Sequence, residues 1–186
     1  IQKLIKMKKL TLACALILAS VGLKAQITTG KDVAVVATDA GKVRGYVHSG
    51  IYTYKGIPYA EAARFEAPHK PKPWAGVRSS LSYGPVSPLI DETTQVNDES
   101  EFVFNHNWGF TNEDCMRINV WTPGINDGKK RPVMFWIHGG GFTSGSAVEL
   151  PSYDGENLAK KGDVVVVSIS HRLNITGYLD LSAYGE

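Results

Sequence analysis

The stretch that most constrains this chain is Arg131-Pro-Val-Met-Phe-Trp-Ile-His138-Gly139-Gly140-Gly141-Phe142. Residues 133–137 form an unbroken apolar run of strand-favouring side chains, with Pro132 before it and glycines after it. This is how a strand buried on both faces reads. The three glycines forfeit side-chain packing and admit positive φ, which suits a place where backbone N–H groups must approach something closely. An ordinary Gly-rich turn at a strand end accounts for the tetrapeptide equally well, because short glycine motifs have many chance occurrences.

Three further motifs weigh against chance. Tyr54-Lys55-Gly56-Ile57-Pro58-Tyr59-Ala60, with Arg64-Phe65 behind it, lies near the start. Asn112-Glu113-Asp114-Cys115 leads into Met116 to Pro123, and Gly162 to Ser170 leads into His171-Arg172-Leu173-Asn174. In this order and at these spacings the motifs resemble the type-B carboxylesterase and cholinesterase family of α/β-hydrolases, over roughly residues 43–180. The resemblance implies a fold class: the N-terminal part of an α/β-hydrolase, an α/β fold in which a small antiparallel β-meander leads into a mostly parallel, here incomplete, central sheet. It also implies that the His-Gly-Gly-Gly loop supplies an oxyanion hole, with Gly140 and Gly141 as its backbone donors. Arg64 is expected to pair with Glu113 in a buried or half-buried salt bridge tying an early connector to the body.

The local signals agree with such a layout. Residues 33–37, 43–47 and 51–55 are β-rich runs separated by Asp/Gly and Ser/Gly turn chemistry, which predicts the meander. Residues 68–74 are proline-rich, and Trp74 is expected to pack this connector onto the body. Residues 116–121 and 133–137 read as neighbouring strands. Residues 152–161 read as a helix with Asp154 as N-cap and Gly162 as stop, followed by a strand at 164–170, which makes a parallel βαβ unit. Between Ser87 and Thr111 the chain is polar and irregular; Trp108 and Phe110 are more readily loop anchors than pocket walls.

Residues 1–25 stand apart. Lys3, Lys6, Lys8 and Lys9 precede an apolar stretch from Leu10 to Leu23, and Ala25 offers a small residue at a cleavage point, the layout of a secretory signal. The apolar run falls short of a membrane span. Domains are therefore expected as a signal peptide over 1–25 and a hydrolase segment over 26–186, exported to the periplasm or the medium, with no stable span after signal removal. Losing the five lysines of residues 1–25, which include no acid, takes the formal charge from +2 to −3. The remaining basic residues are scattered among acids, so no nucleic-acid partner is expected.

The chain has 186 residues, 43% of them hydrophobic and 20% charged, enough apolar content for a core. Without Cys14 only Cys115 remains, so no intramolecular disulfide can form. Many members of the resembling family pair this cysteine with an upstream one; Ser87 falls at that place, which leaves Cys115 as an expected buried free thiol. The five histidines show no ligand spacing, so neither metal nor cofactor is expected. His138 falls on a structural position of the family and His171 where many members carry Tyr, so neither is read as the general base.

The adjacent carboxylates Glu113 and Asp114 lack the cleft-spanning separation of a glycosidase pair. No serine here has the Gly-x-Ser-x-Gly form; Ser144 and Ser146 merely flank Gly145. Nucleophile, acid and base are all expected beyond Glu186, so the segment alone should be inactive and, with uncovered strand edges, poorly soluble. The expected activity of the longer protein is hydrolysis of a small carboxylic ester through an acyl-enzyme. The alternative is a cholinesterase-like binding or adhesion protein that has lost the nucleophile. Oligomeric state leaves no mark in the sequence.

Overall fold

A computed structural model of the protein describes residues 26–88, 109–180 and 182–184. The expected signal segment, the loop residues 89–108 and Trp108 lie outside these residues. The strands are β1 (Val35–Ala37), β2 (Lys42–Arg44), β3 (Tyr46–His48), β4 (Ile51–Pro58), β5 (Val77–Ser79), β6 (Arg117–Thr122), β7 (Val133–Ile137) and β8 (Val165–Ser170). The helices are α1 (Glu156–Gly162) and the single turn α2 (Ile175–Tyr178), with 3-10 turns at Pro151–Tyr153 and Ser182–Tyr184.

The β-rich runs near the start form two hairpins in two different sheets. β1 pairs antiparallel with β2, and β5 adds to β2 in parallel, giving the order β1-β2-β5. The chain then crosses at Gly45 into a five-stranded sheet of order β3-β4-β6-β8-β7. Gly45 sits so close to β4 that a Cβ would collide with the Thr53 carbonyl, so the crossing requires glycine.

The expectation that the strand at 116–121 neighbours the one at 133–137 is corrected. β6 pairs antiparallel with β4 and β8, and β7 lies beyond β8. The sheet is mixed, and β7 with β8 is its parallel pair. The reason is topological. The crossover through α1 sets β7 and β8 side by side in the same direction, and β6, antiparallel to both β4 and β8, takes the free edge of β8 and not that of β7.

Register across the middle strands is fixed by a polar cross-tie. β4 carries a bulge between Tyr54 and Ile57, where Gly56 adopts φ 68°. The Gly56 N–H donates to Asn119 Oδ1 at 2.9 Å, and Asn119 Nδ2 donates to Ser168 Oγ at 3.0 Å. Asn119 and Ser168 are both buried, so slipping β6 by one residue would bury these groups without partners.

One face of the sheet is covered by α1, with Ile51, Trp121, Ala159 and Val166 packed together and Trp121 fully buried. The other face meets the small sheet through Val43, Tyr54 and Ile57, with Trp74 packed against them. The Trp74 indole N–H donates to the Lys42 carbonyl at 2.9 Å, which holds the proline-rich connector down as expected.

The helix begins later than its sequence suggests. Pro151 opens a 3-10 turn, and Gly155 occupies the N-cap because any Cβ there would press on the side chains of Trp121 and Val166. Asp154 still accepts from the Glu156 N–H at 3.0 Å. At the other end Gly162 is the last helical residue, and Asp163 takes the left-handed conformation at φ 47°. Its carboxylate is held by Arg131 at 2.8 Å, which compensates the strained backbone.

Candidate active site

The parallel strands β7 and β8 end together, with Ile137 opposite Ile169. In wound sheets the crevice outside the carboxyl ends of such strands is where ligands bind. The glycine loop emerges from β7 at this edge, and His171 to Asn174 emerge from β8.

Within the loop, peptide orientation is set by what each carbonyl does. The Gly139 carbonyl accepts from His138 Nδ1 at 2.7 Å. The Gly140 carbonyl accepts from the N–H groups of Thr143 and Ser144, each at 3.0 Å, and from the hydroxyls of Thr143 and Ser144 at 3.0 and 3.3 Å. The Phe142 carbonyl accepts from the Asn174 N–H at 2.9 Å. In a trans peptide the N–H points opposite to the preceding carbonyl. Pinning the carbonyls of Gly139 and Gly140 therefore aims the N–H groups of Gly140 and Gly141 away from the loop body. Neither N–H finds an acceptor among the described residues.

The two glycines are needed for different reasons. Gly140 has φ 115°, and a Cβ would run into the Ser144 carbonyl. Gly141 has φ 59°, the left-handed region, with open space where a Cβ would go. Phe142 continues at φ 65°, and its ring leans on Tyr178 at 4.7 Å between centroids.

Behind the loop, His138 is 7% exposed and its ring stacks on His171, 4.7 Å between centroids and 7° from parallel. Burial lowers the His138 pKa and the neighbouring His171 adds to this, against the Gly139 carbonyl and Glu149, which raise it. Sequence alone gives the two histidines no connection. The available signal is that each directly follows one strand of a parallel pair.

The other singled-out residues lie nearby. Arg64 Nε donates to Glu113 Oε2 at 3.1 Å and Arg64 Nη2 pairs with Glu113 Oε1. The pair forms at the surface: the Arg64 side chain is 62% exposed and that of Glu113 31%. The work of fixing the connector falls to Arg172, whose guanidinium donates to the carbonyls of Ala62, Ala63 and Glu113. Cys115 is a buried free thiol whose pKa is raised by burial, against a hydrogen bond with Ser87 that lowers it. The Ser87 hydroxyl also accepts from the Leu173 N–H at 3.0 Å, which locks β8's exit to this corner.

A cleft of about 980 Å³ lies elsewhere, between β1, β4 and the connector at Lys70 to Pro73, and no residue of the glycine loop lines it. Its lining is mostly apolar, and of its charged members Asp39 and Lys70 pair with each other at 3.5 Å. Among the described residues no group of three or more His, Cys, Asp or Glu side chains could hold a metal ion.

A mixed sheet flanked by a crossover helix, with a glycine loop at the carboxyl end of its parallel pair, defines part of an α/β-hydrolase. The chain belongs to the carboxylesterase family, whose model matches residues 32–184. It is 38% identical over 161 residues to a para-nitrobenzyl esterase of Bacillus subtilis (strain 168), covering 82% of this chain and 30% of that protein. It is 36% identical over 159 residues to an acetylcholinesterase of Bungarus fasciatus, covering 81% of this chain and 26% of that one. A solved esterase from Clostridium hathewayi, described as able to hydrolyse aliphatic aromatic polyesters, superposes with a TM-score of 0.79 at 47% identity, over 87% of this chain and 32% of that one. The chain thus spans about a third or less of the length of these relatives.

Proposed function

We propose that the full-length protein is a serine hydrolase of carboxylic esters and that the loop after β7 is its oxyanion hole. The observation that carries this reading is the pair of aimed N–H groups at Gly140 and Gly141, without an acceptor among the described residues, in a chain of this family. When a nucleophile adds to an ester carbonyl, the oxygen becomes an alkoxide. Rigid backbone donors facing that oxygen lower the barrier without having to reorganise, and losing one such donor costs roughly 10²–10³ in kcat. Collapse of the tetrahedral adduct expels the alcohol and leaves an acyl-enzyme, which water then hydrolyses.

The nucleophilic serine, its histidine base and the acid that orients the base are assigned to sequence outside these 186 residues, and no metal or organic cofactor takes part. The segment alone is inactive. Residues 1–25 serve as an export signal cleaved from the hydrolase segment 26–186, which directs the protein to the periplasm or the medium. Among the described residues no helix is long and apolar enough to cross a membrane.

The test is covalent labelling with a fluorophosphonate alongside hydrolysis of p-nitrophenyl acetate. The full-length protein is expected to be labelled on one serine and to turn over the ester, whereas residues 26–186 do neither. A full-length protein that is folded but neither labelled nor active would overturn the reading in favour of a non-catalytic binding protein.

A further inference from the structure

We propose that His138 is a positioning residue: acting through the Gly139 carbonyl, its neutral imidazole sets the direction of the Gly140 N–H, and the ring of His171 holds it in place. The proposal rests on the reading of the glycine loop as an oxyanion hole.

The proton placement follows from the partners. A carbonyl only accepts, so the 2.7 Å approach to the Gly139 oxygen requires the proton on Nδ1. Nε2 is then a bare lone pair, buried and without a partner among the described residues. A second proton there would bury a cationic N–H with nothing to accept from it, beside another imidazole. The ring is therefore neutral where the loop is in working order. Because Gly139 C=O and Gly140 N–H belong to one planar trans unit, the imidazole that holds the first aims the second.

The ring's attitude is fixed from the other side. His171 lies parallel on it, and His171 Nδ1 donates to the Arg172 carbonyl at 2.9 Å. Tyr178 presents its edge to His171 and its hydroxyl lies 3.5 Å from His171 Nδ1, while its ring meets Phe142. A closed circuit of side chains thus runs from the first residue of the loop to its last. Glu149 is the charged group facing His138, and Tyr178 is the titratable group facing His171. Gly145 completes the enclosure, since a Cβ there would come within 2.7 Å of His138 Nδ1 and collide with the Gly139 oxygen.

Two substitutions in the full-length protein separate this role from packing. His138→Asn keeps a short N–H donor and removes the titration, whereas His138→Phe keeps a ring and removes the donor. The first readout is amide hydrogen exchange at Thr143, Ser144 and Asn174, which donate to loop carbonyls. His138→Phe is expected to speed it about tenfold or more, and His138→Asn to leave it within about threefold of wild type.

The second readout is kcat per titrated active site. His138→Phe should lower it on the order of 10²-fold with KM changed less than about threefold, the signature of removing an interaction that is made only in the transition state. His138→Asn should keep most of kcat and lose the extra acid-side fall that appears as His138 takes its second proton. Gly145→Ala, which disturbs the same hydrogen bond from the opposite side, should behave like His138→Phe and stands in for it if the Phe variant does not fold.

Exchange and kcat unchanged in His138→Phe and Gly145→Ala would overturn the proposal, as would a His138→Asn variant as damaged as His138→Phe. If exchange responds as stated but the wild type hydrolyses no ester, the positioning role stands and the ester-hydrolase reading falls.

Discussion

β7 and β8 are both short apolar strands, hydrogen-bonded to each other in parallel, yet one is packed and the other is bare. Along β8, Val166, Ser168 and Ser170 are buried in alternation, with β6 and β7 on its edges and α1 over one face. Along β7, Val133, Met134, Phe135, Trp136 and Ile137 are all 45–64% exposed. Among the described residues β7 has a strand on one edge, and Trp136 touches Tyr153 as its aromatic partner. Composition therefore records the environment a strand is built for, and coverage records the environment it has in this chain. The difference matters for the site, because the glycine loop hangs from the bare strand and its support from the packed one.

The largest expected effect tests the packed side. Trp121→Ala, which empties a fully buried position against α1, should cost about 3–5 kcal/mol in urea unfolding of the full-length protein. Trp136→Ala in the isolated segment 26–186 should cost less than about 1 kcal/mol, because nearly half of the residue is already in water. In the full-length protein Trp136→Ala should approach the Trp121 value. An equal and small cost in both forms would mean that β7 is an exposed strand in its own right.

A gain of function on the packed side comes next. Ser87 and Cys115 are hydrogen-bonded neighbours in a buried corner, so Ser87→Cys should allow a disulfide to form. The cross-link should raise stability by about 2–4 kcal/mol under oxidising conditions and not under reducing ones. Thiol titration and paired melts check this. Binding of a hydrophobic dye to the segment should stay unchanged, because the cross-link does not reach β7.

The smallest effect is electrostatic. Arg64 holds the Glu113 pKa below the ordinary carboxylate value, so folded Glu113 binds its proton less readily than unfolded Glu113. Its contribution is thus present above the unfolded value of about 4.3 and is lost as pH falls through the lower folded value. The pair is exposed, so Arg64→Gln should change the melting midpoint little at pH 7 and not at all well below about pH 4. A large loss at neutral pH would show that the connector depends on this pair instead of on Arg172.

What can be read from the sequence is local. The apolar runs of β7 and β8, the turn glycines and the His-Gly-Gly-Gly motif each carry their signal within a few residues, and the paired Arg64 and Glu113 follow from family resemblance. What escapes is set at long range. β6 takes its partners from β4 and β8, both distant in sequence, so periodicity could not choose between β7 and β8 as its neighbour. The start of α1 is shifted by Trp121, a residue of another element that admits only glycine at position 155. The stacked histidines are hidden for the same reason: they are adjacent only once the parallel pair exists.

The strand order also sets a timetable for synthesis. β6 can join β4 as soon as it leaves the ribosome, because β4 has already been made. β7 cannot do the same, since its partner β8 begins at Val165, after the glycine loop and α1 have been translated. At about 5–20 residues per second the most apolar strand waits unpaired for a few seconds. The time taken to translate residues 138–170 is thus the interval in which the apolar side chains of β7 stand open to a chaperone or to another copy of the chain.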